Sequence, residues 1–383
     1  MVRVARVQSR RQSAVATGPG CKLVLLPQER PFGRDVGDLQ VAGRVRKGAY
    51  QPTAVEWWQC PNVPTIVRGV LGWGGKSDQP QQSACKKGRV FASWGFTMQE
   101  LIQKADVLLE ALPYVQRFRS STFVVKYGGS FMDSPDEQVR TGVAADIVFL
   151  EAVGINPVVV HGGGKAITKA MEKAGIAANF IQGMRVTDEP TMKVVEDVLF
   201  NVTNRDIVEM IQKLGGKARS FNGRNVFKCR KLIQNGVDLG YVGEVVDVEV
   251  ESIKKCLRLS VTPVISPIGL GEDGHAYNIN ADVAAAKLAV AIGARRLVFM
   301  SDVPGLLRDP KDPTTLISHL ETKEVAVLKA GGIIDKGMIP KVDSAVEAVT
   351  AGVRRVHFVD GRIPHAVLLE VFTDKGIGTE VMK

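Results

Sequence analysis

Four short motifs of glycine, lysine, asparagine and aspartate lie in order along the main part of this 383-residue chain. They are Lys-Tyr-Gly-Gly at 126–129, His-Gly-Gly-Gly at 161–164, Asn-Ile-Asn-Ala-Asp at 278–282 and Gly-Met-Ile-Pro-Lys at 337–341. A phosphoryl group in transfer is stabilised by preorganised cations and backbone amides, because its oxygens carry negative charge. No cysteine or serine nucleophile motif competes with these residues, so their types favour a phosphoryl-transfer site.

The first two motifs place glycines at the ends of apolar runs that are typical of strands. Lys126 alone could be a strand-end lysine whose ammonium reaches solvent. Gly128 and Gly129 follow it, however, and paired glycines let the backbone pass close to a ligand and present amides to anionic oxygens. Gly163 and Gly164 repeat this arrangement and run into a helix, whose N-terminus favours an anion.

The other two motifs and one arginine supply charged side chains near helix starts. Asp282 precedes a helical stretch and could simply be its N-cap, with no further role. The polar run from Asn278, however, is denser than a cap needs. Lys341 lies in the first turn of a helix, where the helix dipole disfavours a cation. A bound polyanion explains that lysine better than helix stability does. Arg185, in a loop before a helix, could form a two-pronged hydrogen bond with a carboxylate.

From residue 122 onward, continuous apolar runs alternate with helical stretches, which is typical of a mostly parallel sheet with helices on both faces. Ligands of such sheets bind beyond the carboxyl ends of the strands, where these motifs lie. The segment 221–250 predicts hairpins inserted between two lobes of one domain, with the same sheet continuing through it. The predicted strands are 123–126, 157–161, 261–266, 297–301 and 356–359, and the predicted helices are 139–153, 166–174, 283–292 and 341–351. Each of these helices is followed by a glycine, the usual left-handed cap.

An amphipathic helix is predicted from Thr97 to Leu112, ahead of the first strand of this pattern. Its apolar side chains recur on one stripe. Thr97 and Glu100 have the spacing of a capping box, and Pro113 is expected to end the helix. The stripe could pack on its own domain or dock on another subunit, and the sequence leaves both open.

The net charge of +10 lies entirely in the first quarter of the chain. Residues 1–97 contain 15 Lys+Arg against 5 Asp+Glu, whereas residues 98–383 contain 35 of each. The main body therefore lacks the basic excess that nucleic-acid binding requires. No run approaches the ~18 apolar residues of a membrane helix. We therefore expect neither nucleic acid nor a membrane as a partner.

Residues 1–96 differ in kind from the rest, because they are basic, hold all four tryptophans and lack sustained periodicity. The absence of acidic residues from the first 28 positions fits an organelle transit peptide, but the tryptophans do not. We favour a disordered or non-native extension, with a transit peptide or a small domain as alternatives. The five cysteines form no CxxC pair and the histidines no HxxxH, so we expect a reducing, cytoplasmic setting and no zinc site. A plastid is the alternative if the extension is a transit peptide.

Taken together, the ordered motifs resemble those of the N-acetyl-L-glutamate kinases of the amino-acid kinase superfamily. The match covers about residues 98–383, and the sequences at 183–188 and 277–282 are specific to this kinase within the superfamily. The resemblance implies an α/β fold, a three-layer αβα sandwich with an open, mainly parallel eight-stranded sheet. It also implies an interlacing helix at 97–118 and a kinase domain at 119–383. ATP with Mg²⁺ would bind over the C-terminal lobe and acetylglutamate over the N-terminal lobe, and the γ-phosphoryl would pass to the side-chain carboxylate, in arginine biosynthesis.

The same resemblance assigns roles to individual residues. Lys126 and Lys341 would neutralise the transferring phosphoryl group, while Asp282 would hold both ammonium groups in place. The backbone amides of Gly129 and Gly163 would donate to the phosphoryl oxygens. The acetylglutamate ligands would be Gly163, Gly164, Arg185 and Asn278. The ATP ligands would be Gly128, Gly129, Asp302 and Gly305. No protein side chain is assigned to a metal.

Arginine-inhibited members of this family carry an extra N-terminal helix that joins dimers into a hexameric ring. The helix 97–112, with Tyr114 behind it, resembles that feature. The tail that contains His365, Glu370 and Gly376 resembles the arginine pocket. The resemblance therefore implies a homohexamer, a trimer of dimers, with arginine as its inhibitor. Some relatives also bind a PII-type signalling protein, which makes such a protein a candidate partner.

Two other functions compete with this interpretation. Another amino-acid kinase, acting on carbamate, uridylate or aspartate, is disfavoured by Arg185 and by the sequence at 277–282. A catalytically weak arginine-sensing homologue, like the kinase-like domain of acetylglutamate synthases, is disfavoured because both Lys126 and Lys341 are present.

Overall fold

The computed structural model describes residues 97–128, 136–181, 183–334 and 337–383, together with four short strands closer to the N-terminus. The chain divides into two compact units, Met1–Gly88 and Arg89–Lys383. In the first unit two antiparallel pairs form, β1 (Ser13–Val15) with β2 (Val24–Leu26) and β3 (Glu56–Trp58) with β4 (Val67–Gly69). The prediction of a disordered or non-native extension, or of a transit peptide, otherwise falls outside the described residues.

The second unit is built on an eight-stranded sheet. Its strands are β5 (Thr122–Tyr127), β6 (Asn156–His161), β9 (Ala218–Phe221), β12 (Thr262–Ile265), β15 (Arg296–Ser301), β16 (His319–Glu321), β17 (Arg355–Asp360) and β18 (Thr379–Met382). Their order across the sheet is β16-β18-β17-β15-β5-β6-β12-β9. The run from β17 to β9 is parallel, and only β18 and β16 at one edge point the other way. The prediction of an open, mainly parallel sheet is confirmed.

Helices connect these strands and cover both faces of the sheet. They are α1 (Met98–Phe118), α2 (Glu137–Ala152), α3 (Gly164–Lys173), α4 (Glu189–Glu196), α5 (Arg205–Lys213), α6 (Glu251–Arg258), α7 (Ala281–Ile292), α8 (Val325–Ala330), α9 (Ile339–Thr350) and α10 (Ala366–Val371). A π-helical segment, Asp197–Asn204, joins α4 to α5. The glycines after four of the predicted helices adopt positive φ, which confirms them as left-handed caps: Gly154 (83°), Gly175 (69°), Gly293 (70°) and Gly352 (116°).

Alternate residues of the central strand β5 enter two separate hydrophobic cores. Val124 packs into the core that also contains buried residues of α7 and α9. Phe123 and Val125 pack into the opposite core, with residues of α2, α5 and α10. Because side chains alternate along a strand, a run that is apolar at every position needs cover on both faces. This arrangement gives the three-layer αβα sandwich that the resemblance implied.

The insertion after β9 does not extend the main sheet, so that part of the sequence prediction is wrong. Strands β10 (Phe227–Gln234), β11 (Val237–Val248), β13 (Ile268–Gly271) and β14 (Ala276–Asn278) instead close into a small barrel. Glycine makes the tight closure possible, since a Cβ on Gly269 would lie 2.1 Å from Cys229 Sγ. A short pair, β7 (Phe180–Ile181) and β8 (Met184–Arg185), completes the strands of this unit that the structure describes.

Helix α1 begins as predicted but does not end as predicted. Thr97 and Glu100 form the capping box, in which each side chain accepts a hydrogen bond from the other residue's backbone N–H. Pro113 lies inside the helix, which continues to Phe118, so the prediction that Pro113 ends it is wrong. The ring of Phe118 is buried and lies 5.3 Å from that of Phe123. Burial of this aromatic end outweighs the one hydrogen bond that proline removes.

Candidate active site

Two lysines and one aspartate from three separate elements meet above the sheet. Lys126 Nζ, near the end of β5, lies 2.9 Å from Asp282 Oδ1. Lys341 Nζ, in the first turn of α9, lies 3.2 Å from Asp282 Oδ2. Each carboxylate oxygen therefore holds one ammonium group. The structure brings together all three residues that the sequence predicted to be catalytic.

The start of α7 is built so that Asp282 is free for this role. Asn280 is the N-cap, and its Oδ1 accepts hydrogen bonds from the backbone N–H groups of Asp282 (2.8 Å) and Val283 (3.3 Å). The alternative that Asp282 acts as the N-cap is therefore wrong. Asp282 instead lies within the first turn, with its carboxylate turned towards the lysines.

The electrostatics of this Lys126–Asp282–Lys341 triad leave an excess of positive charge. Burial alone would raise the pKa of Asp282, but the charges of Lys126 and Lys341 and their hydrogen bonds outweigh it, and the pKa lies below its ordinary value. Asp282 is 6% exposed. With the carboxylate ionised, two ammonium groups face one negative charge. A site of this kind attracts a further anion.

A cavity of about 220 Å³ opens beside the triad. Six of the residues predicted from the sequence line it: Lys126, Gly163, Gly164, Arg185, Asn278 and Asp282. The further lining residues that were missed include Phe180, Leu199 and Asn280. Asn280 could have been found, because asparagine directly before a helix is a strong N-cap signal. Phe180 and Leu199 gave no signal, since an isolated apolar residue does not reveal which surface it lines.

The glycine run after β6 forms one wall of the cavity. The Gly162 N–H donates to the Tyr127 carbonyl (2.8 Å), which ties the run to the end of β5. Helix α3 then begins at Gly164, so its first amides lie at the cavity. A Cβ on Gly163 would lie 2.6 Å from Leu199 Cδ2. A side chain there would have to displace Leu199, whereas with glycine any anion in the cavity meets bare backbone.

Arg185 lies on another wall and is buried without an acidic partner. Its Nη2 donates to the Gly164 carbonyl (3.1 Å) and to Thr168 Oγ1 (2.8 Å), and the guanidinium lies 4.7 Å from the centre of the Phe180 ring. No described carboxylate forms a salt bridge with it. Burial lowers the pKa of Arg185 from its ordinary value. An ionised guanidinium in these surroundings is suited to bind a carboxylate from a ligand.

The residues predicted for ATP lie elsewhere or outside the described part. Gly128 is buried at the end of β5, and Gly129 falls outside the described residues. Asp302 is exposed directly after β15. Gly305 has φ of 144°, and a Cβ there would lie 2.5 Å from Thr379 Oγ1. Neither Asp302 nor Gly305 lines the cavity, so their role as nucleotide ligands stays a prediction.

The residues predicted for arginine fall into two groups. The Tyr114 hydroxyl donates to Asp374, which lies close to Gly376 along the chain. The Glu370 carboxylate accepts from the backbone N–H of Ile377 (2.7 Å), and a Cβ on Gly376 would lie 2.6 Å from it. These residues gather where α1 meets the C-terminal tail.

His365 is the N-cap of α10, the helix that contains Glu370. Its Nδ1 lies 2.8 Å from Asp146 of α2. Burial raises the pKa of Asp146 to about 6. The structure therefore brings Tyr114, Glu370 and Gly376 to one region and ties His365 to α2.

Comparison with known proteins places this site in a family. The amino acid kinase family pattern matches residues 121–360. An acetylglutamate kinase from Heliobacterium modesticaldum is 47% identical over 297 residues, which cover 75% of this chain and 100% of that protein. The chain belongs to the acetylglutamate kinases of the amino acid kinase family. The acetylglutamate kinase of Aquifex aeolicus is also 47% identical, over 300 residues covering 74% of this chain and 99% of that one.

Solved structures of the wider family share the fold. The N-acetylglutamate synthase of Neisseria gonorrhoeae, complexed with coenzyme A and N-acetyl-glutamate, superposes with a TM-score of 0.65 at 26% identity. The match covers 73% of this chain and 63% of the synthase, so this chain spans less than two thirds of that protein's length. The carbamate kinase of Giardia lamblia bound to AMP-PNP has a TM-score of 0.51 at 16% identity, covering 69% and 99%, and supports the fold alone.

The described residues contain no group of three His, Cys, Asp or Glu side chains arranged to hold a metal ion. None of their helices combines the length and the apolar character that crossing a bilayer requires.

The triad predicts the effect of removing either lysine. Lys126→Ala and Lys341→Ala should each lower kcat by about 10²–10³, the scale for losing one preorganised electrostatic contact to a transition state. The matched control is Lys287→Ala, because Lys287 pairs with Glu347 across the exposed side of the same two helices, α7 and α9. The control should keep kcat nearly unchanged. Turnover of Lys126→Ala within a few-fold of the wild type would contradict the role assigned to the triad.

Proposed function

We propose that this protein transfers the γ-phosphoryl group of ATP to the side-chain carboxylate of N-acetyl-L-glutamate, the second step of arginine biosynthesis. Its place among the acetylglutamate kinases supports this reaction. The observation that carries it in the structure is the buried triad with its excess positive charge beside a cavity lined by glycine amides and Arg185. The two lysines also disfavour the alternative of a catalytically weak arginine sensor.

The chemistry follows from the charges that must meet. A carboxylate and a triphosphate repel each other, and Lys126 and Lys341 remove that barrier by neutralising the phosphoryl oxygens. Asp282 holds both ammonium groups before the substrates arrive, so no reorganisation is needed during transfer. The amides of Gly163 and, as the resemblance implies, Gly129 would donate to the phosphoryl oxygens. No covalent intermediate on the protein is needed.

Acetylglutamate would lie between the glycine run and Arg185. The unpaired guanidinium of Arg185 suits a carboxylate of the substrate that does not react. The Asn278 side chain, whose Nδ2 donates to Thr187 Oγ1 (3.3 Å), presents amide groups to the same cavity. Gly163 and Gly164 would complete the substrate contacts through their backbone.

ATP would enter from the C-terminal lobe, along Gly128, Asp302 and Gly305. We propose that Mg²⁺ arrives as part of MgATP, since Mg²⁺ in kinases is held largely by the phosphates of the nucleotide. The donor set of the triad fits this assignment, because both oxygens of Asp282 are already engaged by ammonium groups. We expect the enzyme in the cytoplasm, or in a plastid if residues 1–96 act as a transit peptide.

The first prediction of this proposal is the reaction itself. Purified enzyme with ATP and acetylglutamate should release ADP and form an acyl phosphate, which hydroxylamine traps as a hydroxamate that absorbs visible light with iron(III). Aspartate and carbamate should react far more slowly, because neither presents a second carboxylate to Arg185 at the length of acetylglutamate. A preference for either of these acceptors would contradict the proposal.

The second prediction separates substrate binding from transfer. Arg185→Lys should raise the KM for acetylglutamate, because an ammonium cannot form the two parallel hydrogen bonds of a guanidinium, and should change kcat less. Arg205→Lys is the matched control, since Arg205 is exposed and pairs with Glu209 on its own helix. Steady-state kinetics with both substrates varied would measure the two effects. An unchanged KM in Arg185→Lys would remove Arg185 from the substrate site.

We also propose that α1 assembles the enzyme into a homohexamer, a trimer of dimers. One stripe of the helix is exposed, with Leu101 at 45%, Leu108 at 69% and Leu112 at 44%. A stripe of this size is costly in water and suits a partner helix. The aromatic end of α1 is held by the body of the kinase, so the exposed part projects from a fixed base.

Arginine would act where α1 meets the C-terminal tail. Tyr114 of α1 contacts Asp374, and Glu370 binds the backbone of the same tail, so two carboxylates lie beside the junction. Both suit the guanidinium of arginine, and the resemblance adds His365, the N-cap of the helix that holds Glu370. If arginine binds the less active form better, linkage requires it to shift the population towards that form. A PII-type signalling protein stays a candidate partner by resemblance.

The third prediction links assembly to inhibition. Deleting residues 98–112 should give an active dimer with much weaker arginine inhibition, as should the full-length variant Leu108→Asp. Gln103→Asp is the control, because Gln103 lies on the opposite face of α1 from the apolar stripe. Light scattering and arginine titrations would measure both properties. A hexamer after the deletion, or unchanged inhibition, would refute the idea.

A further inference from the structure

The π-helical segment Asp197–Asn204 packs directly against the glycine run of the active site. A π-helix is rare, and it often marks a functional site because the extra residue per turn re-aims side chains. Leu199 of this segment packs against Gly163, with its Cδ2 2.6 Å from the position of an added Cβ. Asn204, at the end of the segment, lies on the same side and is fully buried.

The Asn204 amide joins the segment to two strands of the sheet. Its Nδ2 donates to the Val264 carbonyl on β12 (2.9 Å) and lies 3.1 Å from His161 Nε2 at the end of β6. Because a carbonyl can only accept, the amide nitrogen, and not the oxygen, must face Val264. The second hydrogen of that nitrogen is then directed to His161. Within the described structure, the Asn204 Oδ1 atom has no hydrogen-bond partner.

This contact fixes the tautomer of His161. Since Asn204 donates to Nε2, that nitrogen carries no proton, and in a neutral ring the proton is on Nδ1. Nδ1 lies 3.1 Å from the Gly162 carbonyl and donates to it. Burial lowers the pKa of His161 to about 4, which keeps the ring neutral near pH 7.

The orientation of the next amide follows from the geometry of the peptide bond. In a trans peptide the carbonyl of one residue and the N–H of the next point in opposite directions. With its carbonyl turned to the His161 ring and its N–H tied to Tyr127, Gly162 is held at both ends. The Gly163 N–H therefore points away from the ring. No described residue accepts a hydrogen bond from it.

We propose that His161 and Asn204 are positioning residues that aim the Gly163 N–H at the phosphoryl group. The inference rests on the proposed function, because it assigns that amide to a phosphoryl oxygen. It adds a chain of contacts that runs from the π-segment through Asn204 and His161 to Gly162. A change anywhere in this chain should act on transfer and not only on folding.

Two substitutions of His161 separate positioning from packing. Asparagine can place an N–H close to where Nδ1 stood, whereas glutamine reaches the place of Nε2. His161→Asn should therefore keep the bond to Gly162 and lose only a few-fold in kcat. His161→Gln should lose kcat by about 10- to 100-fold, up to the scale for losing one oxyanion donor. Thermal midpoints should be similar for the two variants.

Asn204 has a matched control on its own segment. Asn201 is an exposed asparagine of the same π-segment and bonds only to Asp197 among the described residues. Asn204→Ala should lower kcat by about tenfold or more, while Asn201→Ala should leave it unchanged. Equal losses in His161→Asn and His161→Gln that follow their thermal midpoints would overturn the proposal, as would wild-type kcat in Asn204→Ala.

A spectroscopic measurement decides the geometry without catalysis. Solid-state NMR of sedimented full-length enzyme with ¹⁵N-labelled histidine should show His161 with a protonated Nδ1 and a bare Nε2, assigned by its loss in His161→Asn. A proton on Nε2 would overturn the proposal. If the wild type failed to phosphorylate acetylglutamate, the proposed function would be refuted. The tautomer measured by NMR would still show whether Asn204 fixes the protonation of the His161 ring.

Discussion

The site depends on the single carboxylate of Asp282, which holds two ammonium groups where water is scarce. Burying three charges is expensive, and their mutual attraction compensates only when the geometry is good. That geometry requires β5 at the centre of the sheet and the starts of α7 and α9 beside it. Removing the carboxylate alone would leave Lys126 and Lys341 to repel each other. The crossovers that place these elements together are therefore as much a part of the catalyst as the side chains.

Another wall of the cavity also holds a buried cation, the guanidinium of Arg185. No carboxylate of the described residues pairs with Arg185, and its contacts with a carbonyl, a hydroxyl and an aromatic ring orient the charge without neutralising it. The cavity is also lined by the glycine run between β6 and α3, whose amides cannot move independently of those elements. Its lining therefore combines the cations of Lys126 and Arg185 with neutral donors. A substrate with two separated negative charges matches this pattern better than one with a single charge.

The sequence predicted what depends on local pattern and missed what depends on packing. Apolar runs that need cover on both faces predicted the central strands, and glycines past helix ends predicted their caps. Lys126 was singled out by the paired glycines after it, Lys341 by a helix start that disfavours a cation, and Asp282 by the dense polar run before it. The small barrel was missed, since Val-rich hairpins do not show which sheet they join, and closure depends on Gly269 beside Cys229. The end of α1 was predicted wrongly because the sequence shows the cost of Pro113 inside a helix but does not show that Phe118 is buried.

Pro113 has a mechanical consequence for α1. Beyond it, Phe118 is clamped by aromatic rings of the body, while the part before it is exposed. A proline inside a helix leaves one carbonyl without its bond, and helices bend most easily there. The C-terminal end of α1 is therefore fixed on the kinase domain, and the helix can bend at Pro113. The exposed N-terminal part can then change direction while it stays helical, and a small change of angle at Pro113 gives a larger displacement at Met98.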